Sequence, residues 1–155
     1  MELYRITQEL FADDLSGNGS KLFGGRWNNE GLFALYTSGT RSMALLETLA
    51  HTPAKMLDVK NYQLVTLYIP DNIEREEIPL SSLPKEWDAP DTRPFTKRIG
   101  DKFLRSGKSL LLEVPCVLMS EEINYVLNPM HKEMGRVKIL NRRRIYFDKR
   151  VIDHL

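Results

Sequence analysis

Residues 32–51 read LFALYTSGTRSMALLETLAH. Leu32 to Thr37 are apolar and partly aromatic, the composition of a buried strand. Ser38, Gly39 and Thr40 break that run. Thr40 has the side chain of a helix N-cap, whose oxygen takes a free backbone N–H of the first turn. Residues 41–51 are good helix formers, and Pro53 ends them because it has no N–H with which to continue. The spacing therefore predicts a strand that feeds directly into a helix. On that helix Met43, Leu46 and Ala50 share a face, and Glu47 follows Met43 by four residues on the same face. A carboxylate at the edge of an apolar stripe costs free energy unless it is paired or has a task. Glu47 is thus a candidate functional residue, beside the plainer reading in which it sits at the margin and reaches water. Tyr36 is a second candidate on the strand. Leu35 and Tyr36 point to opposite sheet faces, and core packing alone also accounts for a strand tyrosine.

The flanking sequence fills in the architecture. Leu3 to Ile6 reads as a first strand, and residues 12–31, with five glycines, as a long loop of the kind that tends to carry function. Tyr62 to Ile69 is β-rich and closed by Pro70. Residues 71–91 contain Pro79, Pro84 and Pro90 and read as an irregular excursion. Thr92 to Ser106 reads as a second helix, with Phe95, Ile99 and Phe103 in helical spacing and Gly107 as its stop. Leu110 to Met119 reads as a strand interrupted by Pro115, which implies an edge or a bulge. Residues 120–135 read as a loop or short helical turn. Val137–Leu140 and Arg144–Phe147 read as two late strands. Strands outnumber helices with no βαβ rhythm, so an α+β fold with a mixed or antiparallel sheet is expected. With 155 residues the chain is expected to be a single domain, 1–155.

Composition narrows the classes further. The chain is 42% hydrophobic and 28% charged, the balance of a globular protein. It has no run of 18 apolar residues, so no membrane-crossing helix is expected, and Met1 to Arg5 lacks the basic start and apolar run of a signal peptide. The one cysteine, Cys116, excludes an internal disulfide and any multi-cysteine metal site, and a reducing cytoplasm is the expected location. A net charge of +1 conceals a segregation: residues 71–91 carry a net −5 and residues 129–155 a net +5. Such patches suit a charged partner or self-association, and also simple solubility. The Arg142-Arg143-Arg144 run is short in a nearly neutral chain, and reads as a solvated face before it reads as a nucleic-acid site. Gly17 to Lys21 resembles only part of a phosphate-binding P-loop, and neither G-x-G-x-x-G after a strand nor H-E-x-x-H occurs. His51, His131 and His154 are scattered and read as structural or exposed.

Gly24-Gly25-Arg26-Trp27-Asn28 is the most suggestive short motif. Two glycines let a backbone approach a ligand closely. Arg26 adds a planar fork of donors suited to phosphate, and Trp27 a face for a flat ring. Together they suit a nucleotide or pyrophosphate; a glycine turn with a surface arginine and a packed tryptophan is the alternative. Nothing beside Cys116 marks a base, so the lone thiol reads as buried and inert. Asn128, before Pro129, holds either a substrate hydroxyl or amide, or its own loop.

In order and spacing these pieces resemble the RES-domain family, toxins of bacterial toxin–antitoxin pairs named after an arginine, a glutamate and a serine. The likeness runs nearly end to end. It takes in Tyr4-Arg5-Ile6, Leu15-Ser16-Gly17, Gly24 to Asn28, Tyr36, Leu46-Glu47 with His51, and Leu67 to Pro70. It continues through Leu83-Pro84 with Trp87, Val114-Pro115, and Asn124 to Pro129 with His131. The resemblance implies a fold related to ADP-ribosyltransferases, with a split mixed sheet and flanking helices around a cleft for NAD+ as substrate, and no metal. It implies attack at the nicotinamide–ribose bond by hydrolysis or phosphorolysis, or transfer of ADP-ribose to a protein. Glu47 then stabilises the developing oxocarbenium, Arg26 clamps the pyrophosphate, Arg5 is a second NAD+ contact, Tyr36 positions the nicotinamide–ribose end, and Trp27, Asn28 and Asn128 complete the expected NAD+ contacts. The implied partner is a cognate antitoxin, often with an Xre-type helix-turn-helix, in a hetero-oligomer or beside a homodimer, with nucleic acid reached only through the antitoxin. Cys116 stands where the family has its serine. Cysteine is the weaker hydrogen-bond donor, so a substrate contact made there is weakened or passes to Asn128. A non-enzymatic nucleotide- or nucleic-acid-binding module is the remaining alternative.

Overall fold

The computed structural model describes residues 1–155. In chain order the strands are β1 (Glu2–Gln8), β2 (Leu35–Ser38), β3 (Tyr62–Tyr68), β4 (Arg75–Glu77), β5 (Leu111–Pro115), β6 (Ile123–Leu127) and β7 (Lys138–Ile145). The helices are α1 (Asn18–Phe23), α2 (Arg41–His51), α3 (Ala54–Val59), α4 (Arg93–Ser106) and α5 (Lys149–Ile152). The strands form one sheet in the order β4-β5-β6-β2-β1-β3-β7. Only β4 and β5 run parallel; the other neighbours are antiparallel. This is the expected α+β class with a mixed sheet. No helix is long and apolar enough to cross a membrane.

The sheet is split where β1 meets β2. β1 pairs with β3 along its whole length, Glu2↔Tyr68 to Gln8↔Tyr62, and β2 pairs with β6 from Leu35↔Leu127 to Ser38↔Asn124. Between β1 and β2 the only registered pair is Tyr4↔Ser38. Strand alternation then sorts the core. Leu3, Leu35, Val65, Leu67, Leu111 and Leu127 pack on one face as a continuous cluster. The opposite face carries two separate clusters. Leu112, Val114 and Val126 pack with Trp27, Trp87 and Phe103 beneath α4, while Tyr4 and Leu64 pack with Ala44 of α2. The gap between those two clusters lies over the split.

α2 forms as the sequence predicts, with the Thr40 hydroxyl accepting from Met43 N at 3.1 Å. α4 also matches, ending at Gly107. Four local expectations are corrected. The loop over 12–31 contains α1. Residues 120–135 contain β6, a central strand. The two strands expected at Val137–Leu140 and Arg144–Phe147 are one, β7 from Lys138 to Ile145, whose ladder with β3 shifts register between Thr66 and Leu67. Pro115 marks neither an edge nor a bulge: β5 lies between β4 and β6, and Pro115 is its last residue, paired with Ile123.

Candidate active site

A cleft of about 880 Å³ opens over the split, within the range of small-molecule sites. Its walls come from β1 and β2, from α2, from the 24–27 loop, from α4 and from the end of β5. Among the lining side chains Glu47 is the only carboxylate, while Arg5, Arg26, Arg93 and Lys97 supply four fixed cations. None of those four cations belongs to an ion pair of the chain.

Glu47 projects from α2 with its side chain 24% exposed. Its Oε1 accepts from Asn124 Nδ2 at 2.5 Å and from the Cys116 thiol at 3.1 Å. Its Oε2 lies 3.3 Å from Nδ1 of the exposed His51, one turn along the helix. Cys116 is fully buried and its sulfur also touches Met43 Sδ at 3.4 Å. Burial, and then the bond to Glu47, push the Cys116 thiol up from its ordinary value, so it stays protonated at neutral pH and serves as a donor. Cys116, expected at the family's serine position, thus points at the glutamate. Asn124 falls within the family likeness but the sequence gives it no role, because nothing local on β6 marks it; its partner lies 77 positions away.

The opposite wall is the 24–29 loop. Gly25 N donates to Asn28 O at 3.0 Å, closing a tight turn. The Tyr36 hydroxyl accepts from Trp27 N at 2.9 Å and donates to Asn28 Oδ1 at 2.7 Å. Burial holds that hydroxyl's pKa well above the ordinary tyrosine range. Asn28 is fully buried, and its Nδ2 donates to the carbonyls of Ser20, Asn29 and Leu32. A Cβ on Gly25 would lie 2.5 Å from Tyr36 Oη. The close approach that glycine permits here is to the protein's own tyrosine, not to a ligand. Likewise a Cβ on Gly100 would lie 1.7 Å from Trp27 O, so α4 rests directly on the loop's backbone. Trp27 is 3% exposed and its ring meets Trp87, with centroids 6.2 Å apart.

Arg26 reaches across to the acidic excursion, donating to Trp87 O at 3.2 Å and Asp88 O at 3.0 Å. Burial and then the neighbouring charge of Arg93 lower its pKa. Arg5 alternates with Tyr4 on β1 and donates to Asp14 O at 2.7 Å; burial lowers its pKa too. Arg93 and Lys97 lie four apart on α4 and so share a face. Nothing in the local sequence singles them out. An anion in the cleft would relieve the mutual repulsion of this set.

The structure brings Arg5, Arg26, Trp27, Tyr36 and Glu47 to the cleft, with Cys116 touching Glu47 from behind. Asn28 lies beneath the wall with its polar atoms committed to the protein. Asn128, expected at the substrate, stands apart from the cleft. It is 2% exposed, donates to Leu104 O at 3.0 Å and accepts from Met130 N at 3.1 Å, so it holds its own loop. His131 is also buried, against Lys108 O. Arg142 pairs with Asp13, and Arg144 bonds Asn61, on the outer strand β7.

Comparison with known proteins shows the family and the fold. The family model described as the RES domain matches residues 2–148. The chain is similar to the Prs ADP-ribosylating toxin of Sphingobium sp. (strain YBL2), 36% identical over 143 residues, covering 91% of this chain and 88% of that protein. It is similar to Toxin Res of Photorhabdus laumondii, 36% identical over 146 residues, covering 91% and 92%. Among solved structures, a chain of the M. tuberculosis MbcT–MbcA toxin–antitoxin complex superposes with a TM-score of 0.75 at 21% identity, covering 94% of this chain and 84% of that one, a likeness of fold.

Proposed function

The chain belongs to the RES domain family, and from that premise we propose that it is the toxin of a toxin–antitoxin pair that cleaves NAD+ at the nicotinamide–ribose bond. One observation carries this reading: the cleft lining offers four unpaired cations and a single carboxylate. A dinucleotide has a doubly charged pyrophosphate for the cations and, at the scissile bond, one centre that becomes positive. Arg5, Arg93 and Lys97, with the free donors of Arg26, take the pyrophosphate. Tyr36 and Trp27 form the wall beside the nicotinamide–ribose end.

When the C1′–N bond breaks, its electron pair passes to the pyridinium nitrogen and nicotinamide leaves neutral, so no acid is needed. Positive charge is left on the ribose carbon and ring oxygen. The Glu47 carboxylate stabilises it, a contact worth roughly 3 kcal/mol, or on the order of a hundredfold in rate. Water then adds at C1′ and gives up a proton, yielding ADP-ribose; inorganic phosphate at the same carbon yields a phosphorylated ADP-ribose. A second reading is supported by the name of the Sphingobium relative: a protein side chain takes the place of water, and ADP-ribose is transferred to a target.

The partner on this reading is an antitoxin, of Xre type by family resemblance, docking on the acidic 71–91 stretch or the basic C-terminal region, and the place of action is the cytoplasm. The test is incubation of purified protein with NAD+, with and without phosphate, products read by mass spectrometry. Nicotinamide with ADP-ribose or its phosphate supports cleavage, and a labelled protein band from radiolabelled NAD+ supports transfer. Intact NAD+ with no labelled band overturns both.

A further inference from the structure

We propose that Asn124 is a positioning residue that holds the Glu47 carboxylate in its working orientation, leaving Oε2 as the oxygen presented to the reacting ribose. The kinetic part of this inference rests on the NAD+ reading; the geometric part does not.

Three buried or half-buried asparagines make the argument by contrast. Asn28 and Asn128 have both ends of the amide satisfied: each donates to backbone carbonyls and each oxygen accepts, from the Tyr36 hydroxyl and from Met130 N respectively. That is how asparagines that hold structure behave. Asn124 differs. Its Nδ2 donates to Glu47 Oε1 at 2.5 Å, but its Oδ1 is buried with no partner. Turning the amide over would not help, because Oδ1 would then face Oε1, acceptor against acceptor. The fold leaves an unpaired carbonyl in place to keep a donor on the carboxylate.

The scaffold behind Asn124 suits that task. It sits on β6 in register with Ser38 of β2 on one side and Val114 of β5 on the other. Its Cα is fixed by two ladders, whereas Glu47 stands at the end of a flexible side chain on α2. A site residue is held best by groups on rigid elements. The groups facing Glu47 are Asn124 and the Cys116 thiol on Oε1, His51 on Oε2, and the charge of Arg26 at longer range. Two donors converge on Oε1, while Oε2 has only the exposed His51 ring beside it.

The test uses Asn124→Leu and Asn124→Asp. Leucine fills the same space and removes both the donor and the unpaired oxygen. A folded variant melting within about 3 °C of the parent is expected to lose about ten- to a hundredfold in kcat for nicotinamide release, with KM within about twofold. Asn124→Asp, the same size but an acceptor, is expected to lose at least as much. Unchanged kcat in either folded variant overturns the proposal, as does a loss confined to KM. A substrate-free arm separates it from the NAD+ reading. The Asn124 side-chain amide proton is expected far downfield in the parent NMR spectrum, and back among the other asparagines in Glu47→Ala. Identical shifts in the two proteins overturn the clamp, even if the parent consumes no NAD+. A parent that releases no nicotinamide but shows the shifted amide overturns the NAD+ reading and leaves the clamp supported.

Discussion

The two walls of the cleft are built on opposite principles. On the 24–29 side the backbone and the buried side chains bond the protein itself: Tyr36, Trp27 and Asn28 close a ring of hydrogen bonds, Asn29 bonds Asp101 of α4 through its backbone N–H and its side chain, and Thr96 donates to Arg26 O. On the α2 side Glu47 is half-exposed, two donors converge on one of its oxygens, and Asn124 keeps an unpaired carbonyl. The first wall is a mould whose shape is set by folding. The second holds a charge ready for a task. Substitutions on the two walls should therefore separate stability from turnover.

The largest effect is expected at Glu47. Glu47→Gln should lower nicotinamide release by about a hundredfold or more while the melting temperature holds, read by a coupled assay and a thermal scan. Next comes Asn28→Ala, which leaves three carbonyls and the Tyr36 hydroxyl short of a partner. It should cost about 2–3 kcal/mol of stability, measured by urea titration, with turnover per folded molecule little changed. A cooperative fall in activity but not in stability would erase the distinction between the walls. Smaller again, Arg93→Glu with Lys97→Glu should raise KM for NAD+ about tenfold with kcat nearly constant, and the parent KM should rise with salt. The smallest change is expected at Cys116→Ser, which puts a better donor on Glu47 and should keep or raise turnover. Because burial and the Glu47 bond raise the thiol's pKa, little thiolate exists at neutral pH. The native protein should resist thiol reagents until it is unfolded; rapid native labelling would contradict the geometry.

Much of this was legible in the chain. The strand–helix unit from Leu35 to His51 shows its cap, its stop and its amphipathic glutamate within twenty residues, because those signals are local. β6 did not show itself. Asn124, Asn128 and Pro129 carry turn chemistry, and only the ladders on both sides make residues 123–127 a strand; context decides strand formation more than composition does. β7 was divided for a similar reason, its polar middle being an exposed outer strand held by β3. At the site, Glu47 and Arg26 stood out by residue type. Asn124 and the α4 cations matter through partners or neighbours roughly seventy residues away, which no local pattern encodes. In sequence Asn28 and Asn128 look like ligand contacts, because an asparagine in a loop looks the same whether its amide faces a substrate or its own backbone.

The most direct test of the account is the rate of nicotinamide release from NAD+ by the parent protein and by Glu47→Gln, each freed of any partner and matched in melting temperature. The account predicts measurable release by the parent and a rate about two orders of magnitude lower in the variant. Equal rates in two folded proteins would show that the carboxylate on the α2 wall does not perform the chemistry.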